Sequence, residues 1–274
     1  MAGCSGLDTD SNIELGQNES VNHTSQYQPT EKTLPDISNA SYGNNIKQKF
    51  DYYAPGSGTS DTLIIVVHGG AWTGGDKKFL AGVSGFFAGR GYSVVDMNYR
   101  LAPMYKYPAP LEDIATVINY VGNQSDEFGL SEGYQIVLLG HSAGAHLVSL
   151  YGLREAEFGT KNVEIVVGLA GLYDFANGIV DSESDLGKFL GSASPAEASP
   201  ASQIGEGEST KYLLIHGTDD SSIPSTQTTL FDEALQEKNV PVETLLVDGR
   251  DHFGIMEQIP QDDEVAEKII EFIG

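Results

Sequence analysis

Tyr134-Gln135-Ile136-Val137-Leu138-Leu139-Gly140-His141-Ser142-Ala143-Gly144-Ala145-His146-Leu147-Val148-Ser149-Leu150-Tyr151 is the stretch that decides the fold. Its opening, Tyr134 to Leu139, is an apolar run of strand length. Its close, Ala143 to Tyr151, reads as a buried helix. Between them stands G-x-S-x-G, a strand–serine–helix elbow that forces a tight, strained turn at the serine. The flanking glycines let neighbouring elements pack closely enough to permit it. Such a turn projects the Ser142 hydroxyl above the end of a sheet, where it is available as a nucleophile.

Outward from the elbow the same alternation repeats. Thr62-Leu63-Ile64-Ile65-Val66-Val67 is a continuous β-branched and apolar run, the pattern of a strand buried on both faces. Lys47 to Tyr53, followed by Ala54-Pro55-Gly56, reads as an antiparallel edge strand ending in a turn. Tyr92–Met97, Val163–Leu169, Tyr212–His216 and Val242–Val247 are further strands. Lys78–Arg90, Pro110–Val121, residues 224–238 and Asp262–Ile273 carry helical spacing. Strands alternating with helices predict an α/β fold with a mostly parallel central sheet covered on both faces. Active sites of such sheets lie beyond the carboxyl ends of the strands.

With 274 residues and 40% hydrophobic content the chain can hold one large domain. The expected division is a polar tail or tether over residues 1–40 and a catalytic domain over 41–274, with a small cap region at about 173–209. The Ser-, Asn-, Gln- and Thr-rich composition of residues 5–40 cannot bury enough surface to order itself. Sequons at Asn18 and Asn22 would matter only on a eukaryotic secretory route.

No apolar run reaches the roughly 18–20 residues that span a bilayer. The 39 acidic against 15 basic residues give a formal net charge of −24, a surface that repels nucleic acid and anionic lipid. That surface reads either as a solubilising coat or as adaptation to salty surroundings, where counterions screen the self-repulsion. The one cysteine, Cys4, excludes an internal disulfide. Met1-Ala2-Gly3-Cys4 has the look of the end of a bacterial lipobox with its apolar signal segment removed. On that reading the protein works at a bacterial envelope or outside the cell, with a lipid at Cys4 as its membrane contact. On the alternative reading the cysteine is incidental and the protein is cytoplasmic. The oligomeric state is left open.

A serine nucleophile needs a base, and the base an orienting acid. Leu246-Val247-Asp248-Gly249-Arg250-Asp251-His252-Phe253 leaves the last strand and supplies His252. Ile215-His216-Gly217-Thr218-Asp219-Asp220 leaves an earlier strand and supplies two aspartates. Asp248 and Asp251 are too close to the histidine in sequence to be its partners and serve the loop or the surface. His146 is expected to be a packed, hydrogen-bonded core residue, and His216 to brace the acid loop. His141 is the variable position of the elbow, and His23 lies in the tail. An ester-cleaving serine also needs donors for the oxyanion. His68-Gly69-Gly70-Ala71-Trp72 follows the 62–67 strand, and the expected donors are the N–H groups of Gly70, Ala71 and Ala143. No cofactor and no metal is expected, because no His/Cys/Asp cluster has ligand spacing.

Over residues 45–274 the chain resembles the α/β-hydrolase superfamily. His68-Gly69-Gly70-Ala71-Trp72, Asn98-Tyr99-Arg100-Leu101-Ala102-Pro103 and Gly140-His141-Ser142-Ala143-Gly144 resemble its carboxylesterase branch with an H-G-G-x-W loop. That branch includes feruloyl-esterase-like and kynurenine-formamidase-like enzymes and borders the hormone-sensitive-lipase-like esterases. Ala71 in place of a third glycine, and His141 where an acidic residue is usual, set the chain apart from the last of these. The resemblance implies the order serine, acid, histidine. Its H-G-x-x-D spacing selects Asp220 over Asp219 as the acid, leaving Asp219 to a turn or a helix cap. It implies a serine carboxylesterase acting through an acyl-enzyme on small-molecule esters. The alternatives are an arylformamidase or other amide hydrolase, and a non-catalytic binding protein on the same scaffold. No large apolar lid is evident between Gly171 and Lys211, so short acyl chains, acetyl to hexanoyl, are expected. Trp72, Tyr173 and Phe175 line an aromatic-friendly pocket on one reading, which would suit feruloyl or acetylated polysaccharide esters. On the other reading they are ordinary core.

Overall fold

The computed structural model describes residues 34–56, 58–176 and 180–274. In chain order these form β1 (Ile37–Ser41), β2 (Lys49–Tyr53), β3 (Ser60–Val67), α1 (Ala81–Gly89), β4 (Ser93–Met97), α2 (Ala109–Gly122), β5 (Leu130–His141), α3 (Ala143–Arg154) and β6 (Ile165–Leu169). Then follow α4 (Asp185–Leu190), α5 (Pro195–Ala198), β7 (Lys211–Gly217), α6 (Thr226–Glu237), β8 (Val242–Val247), α7 (Gly254–Glu257) and α8 (Glu264–Ile273). The strands make one sheet in the order β1-β2-β4-β3-β5-β6-β7-β8. Pairing is antiparallel from β1 to β2 and from β2 to β4, and parallel from β4 to β8. This is the α/β-hydrolase fold.

The continuous apolar runs are explained by two cores, one on each face of the sheet. Along β3, Leu63, Ile65 and Val67 enter the core shared with α2, α3 and α6, whereas Ile64 and Val66 enter the core shared with α1, α7 and α8. The alternation follows the pleat, which sends successive side chains to opposite faces. β6 and β7 divide in the same way: Val166, Tyr212 and Leu214 go to the first core, and Val167, Leu213 and Ile215 to the second.

Two expectations need correction. The folded domain begins before residue 41, because β1 lies inside the stretch read as tail. β2 is therefore an interior strand, not the edge. The side chains of β1 are mostly exposed, so no apolar periodicity announces it. Backbone and short side-chain contacts hold it instead. Asp36 N–H donates to the Tyr52 carbonyl at 2.8 Å, and Asn39 N–H donates to Asp51 Oδ1 at 2.6 Å. Cys4, Asn18, Asn22, His23 and the lipobox reading lie outside the described residues. Among its described residues, the stretch at 173–209 carries the short α4 and α5 and a 3-10 turn at Pro200–Ser202. α4 and α5 each begin at a serine whose side chain accepts the third backbone N–H of its helix.

Candidate active site

The elbow is built as its glycines require. Ser142 has φ 56° and ψ −120°, outside the ordinary regions for a residue with a side chain. Such a conformation costs on the order of 1–3 kcal/mol and persists only where the surroundings over-determine it. Here Ser142 N–H donates to the Leu169 carbonyl of β6 at 2.8 Å. A Cβ on Gly140 would lie 2.4 Å from the Gly144 carbonyl, and one on Gly144 would lie 2.1 Å from the Val67 carbonyl. Both positions are closed to any other residue because strand and helix backbones meet there.

Ser142, Asp220 and His252 come together across the ends of three strands. His252 Nε2 lies 3.0 Å from Ser142 Oγ, and His252 Nδ1 lies 2.6 Å from Asp220 Oδ2. An ionised carboxylate only accepts, so Nδ1 carries the proton and Nε2 is free to accept from the hydroxyl. Asp220 is held from every side: its Oδ1 accepts from the N–H of Ser222 and of Ile223, each at 2.8 Å. Its Oδ2 also faces His216 Nε2 at 3.1 Å. Burial pushes this carboxyl up. The N–H donors of Ile223 and Ser222 and the pairing with His252 outweigh that, and hold it below the usual aspartate range. Asp219 is exposed and makes a backbone turn contact to Arg250.

His216, His141 and His146 each have a definite task. His216 Nε2 faces two acceptors, Asp220 Oδ2 and the Ile223 carbonyl, while Nδ1 lies 2.7 Å from Thr228 Oγ1. Its Nε2 therefore donates and braces the acid loop, and burial pushes its pKa down, which favours the neutral ring. His141 donates from Nε2 to the carbonyl of His252 at 2.7 Å, tying the elbow to the histidine loop. His146 accepts from Trp72 Nε1 at 3.1 Å and donates to the Ala198 carbonyl at 2.7 Å. Burial pushes His141 and His146 down to about 4, so both stay neutral at physiological pH. Asp248 accepts from Thr218 and Asp251 from the Gly254 N–H, the loop roles expected of them.

After β3 the chain takes three consecutive positive-φ residues, Gly70 at 120°, Ala71 at 49° and Trp72 at 60°. Among the described residues, no turn, cap or loop bond takes the N–H of Gly70, Ala71 or Ala143. The loop is pinned elsewhere. Gly70 O accepts from Gly74 N–H at 2.9 Å, and Trp72 O accepts from Ala102 N–H at 3.0 Å. Beneath it Tyr99 stacks on His68 and donates to its carbonyl. Asn98 bonds to both Asp76 and the Lys77 N–H. The Asn98–Pro103 segment thus serves as a brace for this loop.

A cleft of about 700 Å³ opens over Ser142. Trp72 lines it, with Phe79, Leu80, Leu172, Ile223, Phe253 and Met256. Tyr173 and Phe175 do not, which corrects the three-residue aromatic pocket. Tyr173 is fully buried and stacked on Phe231, with centroids 4.6 Å apart, and Phe175 packs against His146 behind Trp72. Phe79 and Phe253 were missed. The available signal was the position of Phe253 immediately after the histidine. Phe79 reads as one more apolar residue of a helix start.

These features together place a hydroxyl next to an imidazole that can accept its proton. A family model described as BD-FAE matches residues 50–235. The chain belongs to the BD-FAE family. The BD-FAE match contains Gly70, Ala71, Ser142 and Asp220, and His252 lies beyond it. A kynurenine formamidase of the yeast Meyerozyma guilliermondii is 30% identical over 257 residues, covering 85% of this chain and 92% of that protein. A probable isoprenylcysteine alpha-carbonyl methylesterase of rice is 28% identical over 262 residues. The chain spans 61% of the length of that rice relative and 54% of a similar one from Arabidopsis thaliana. Among solved structures, a truncated carbohydrate esterase from gut microbiota superposes with a TM-score of 0.78. It is 21% identical and covers 89% of this chain and 97% of that one, a likeness of fold.

Proposed function

We propose that this BD-FAE member is a serine carboxylesterase that cleaves short-chain esters of small molecules. The observation that carries the proposal is the unbroken path from Ser142 Oγ through His252 to Asp220, at 3.0 and 2.6 Å, together with the Gly70, Ala71 and Ala143 N–H groups, which no turn or loop bond takes among the described residues. On this reading Ser142 Oγ attacks the ester carbonyl carbon as its proton passes to His252 Nε2. The carbonyl oxygen becomes an oxyanion, which the N–H groups of Gly70, Ala71 and Ala143 receive. Asp220, kept ionised by its four donors, stabilises the imidazolium and fixes its tautomer. When the adduct collapses, the bond to the alcohol oxygen breaks and Nε2 returns the proton to that oxygen. Water, deprotonated by the same nitrogen, then releases the acid from Ser142. His216 and His141 act through their partners as positioning residues.

The decisive test is Ser142→Ala against a short p-nitrophenyl ester, with folding checked by circular dichroism. Turnover should fall by about a thousandfold or more. Retention within about tenfold, a factor of roughly 1.4 kcal/mol, would remove Ser142 from the chemistry.

A second reading is favoured by one observation. The fungal relative named kynurenine formamidase is matched over nearly its whole length. Turnover of N-formylkynurenine well above that of simple esters, abolished in Ser142→Ala, would make the chain a formamidase using the same residues.

A further inference from the structure

The two cores that sandwich the sheet reach the cleft on opposite sides of Ser142. Leu80 and Met256 belong to the α1/α7/α8 core, whereas Trp72 and Ala143 belong to the α2/α3/α6 core, with Ala71 and Leu172 packed against it. His252 stands with the first group. Its ring meets Phe253 edge-on at 5.3 Å, and the chain runs directly from Phe253 into α7. The sides differ in finish. Trp72 is 5% exposed, stacked on Phe189 of α4 at 5.0 Å and hydrogen-bonded to His146. Phe79 and Phe253 are 65% and 56% exposed, although both line the cleft.

Chemistry assigns these sides. The group that protonates the departing oxygen must stand about 2.6–3.2 Å from it. With His252 Nε2 as that group, the alcohol departs on the α7 side. The oxyanion is directed to the 70–71 and 143 amides, and the acyl chain takes the remaining direction, along the closed wall of Trp72 and Leu172. An exposed aromatic ring beside the base is apolar surface awaiting a partner. Glu257, which lines the same arm, disfavours an anionic one.

The geometry points to an uncharged apolar or aromatic alcohol as the preferred leaving group, seated against Phe253 and Phe79, with only a small acyl group accepted against Trp72. This assignment rests on the serine-esterase reading above. It adds to that reading which half of the substrate carries the bulk, and makes Phe253 a specificity-determining residue.

The test compares 2-phenylethyl acetate with ethyl acetate, whose leaving alcohols have similar acidity, by kcat/KM in a pH-stat. An aromatic contact of this kind supports a preference of about tenfold for the phenylethyl ester. Phe253→Ala should lower that ratio several-fold, Phe79→Ala with Phe253→Ala should bring it close to one, and Phe253→Tyr should restore it. The ranking of ethyl acetate, butyrate and hexanoate should not change in Phe253→Ala. A native ratio near one, a ratio unmoved by the double substitution, or a changed acyl ranking in its place would each overturn the assignment. Ser142→Ala separates the two levels. If it still turns over both acetates, the serine-esterase reading falls and takes this inference with it. If it abolishes both while the ratio ignores Phe253, only the inference falls.

Discussion

The two walls of the cleft are made of the same kind of residue and held in opposite ways. On the Trp72 side an aromatic ring is buried, stacked and hydrogen-bonded into α3 and the cap, so its energy is tied to folding. On the Phe79/Phe253 side two aromatic rings stand largely in solvent, so folding has used only part of their apolar surface. The difference teaches where an α/β scaffold keeps its rigidity. On the proposed reading, the wall next to the strained 70–72 turn must be stiff, because donors meant for an oxyanion lose their value if they reorganise. On the same reading, the wall beside the departing alcohol has no such duty.

The largest expected effect tests the centre between the walls. Asp220→Asn should lower kcat by about a thousandfold or more, because the wrong imidazole tautomer is favoured. Asp219→Asn should change it by less than about threefold, since its side chain is exposed. Steady-state rates on a p-nitrophenyl ester measure both, and equal losses would break the assignment of the acid.

Next comes the rigid wall itself. Trp72→Ala removes a buried indole and strands His146 Nδ1 without its donor. The expected loss is about 3–5 kcal/mol in urea unfolding. A loss under about 1 kcal/mol would mean that the wall is not structural.

The third prediction uses pH to sharpen the same contrast. His146 titrates at about 4 in the folded protein, pushed down by burial, against about 6.5 when unfolded. Between those values the unfolded chain binds more protons, so this group's contribution is present above pH 6.5 and is lost as pH falls toward 4. His146→Leu lacks that dependence but strands Trp72 Nε1. The native protein should therefore be the more stable at pH 7.5, and its margin over the variant should shrink by about 2–3 kcal/mol at pH 4.5. A margin independent of pH would show that His146 is not buried neutral.

The smallest effect belongs to the open wall. Phe79→Ala should change the urea midpoint by an amount equivalent to no more than about 0.5 kcal/mol, as for an exposed site. A loss approaching that of Trp72→Ala would erase the distinction between the walls.

The sequence by itself determined the order of the strands from β2 to β8, with the helices between them, and the elbow. Runs such as Leu63–Val67 and Ile136–Leu139 can be satisfied only by burial on both faces, and G-x-S-x-G leaves one backbone solution between a strand and a helix. It also placed Gly70, Ala71, Asp220 and His252 near strand ends, because each lies within a few residues of the end of an apolar run. Tertiary structure decided the rest. β1 is exposed and held by backbone pairing, which leaves no trace in hydrophobic periodicity. Tyr173 and Phe253 are both aromatic residues close to a strand end. One stacks on Phe231 inside a core and the other faces open space above His252. Residue type measures how much apolar surface a side chain has. Only the packing of elements distant in the chain determines whether that surface is spent on the core or left for a ligand.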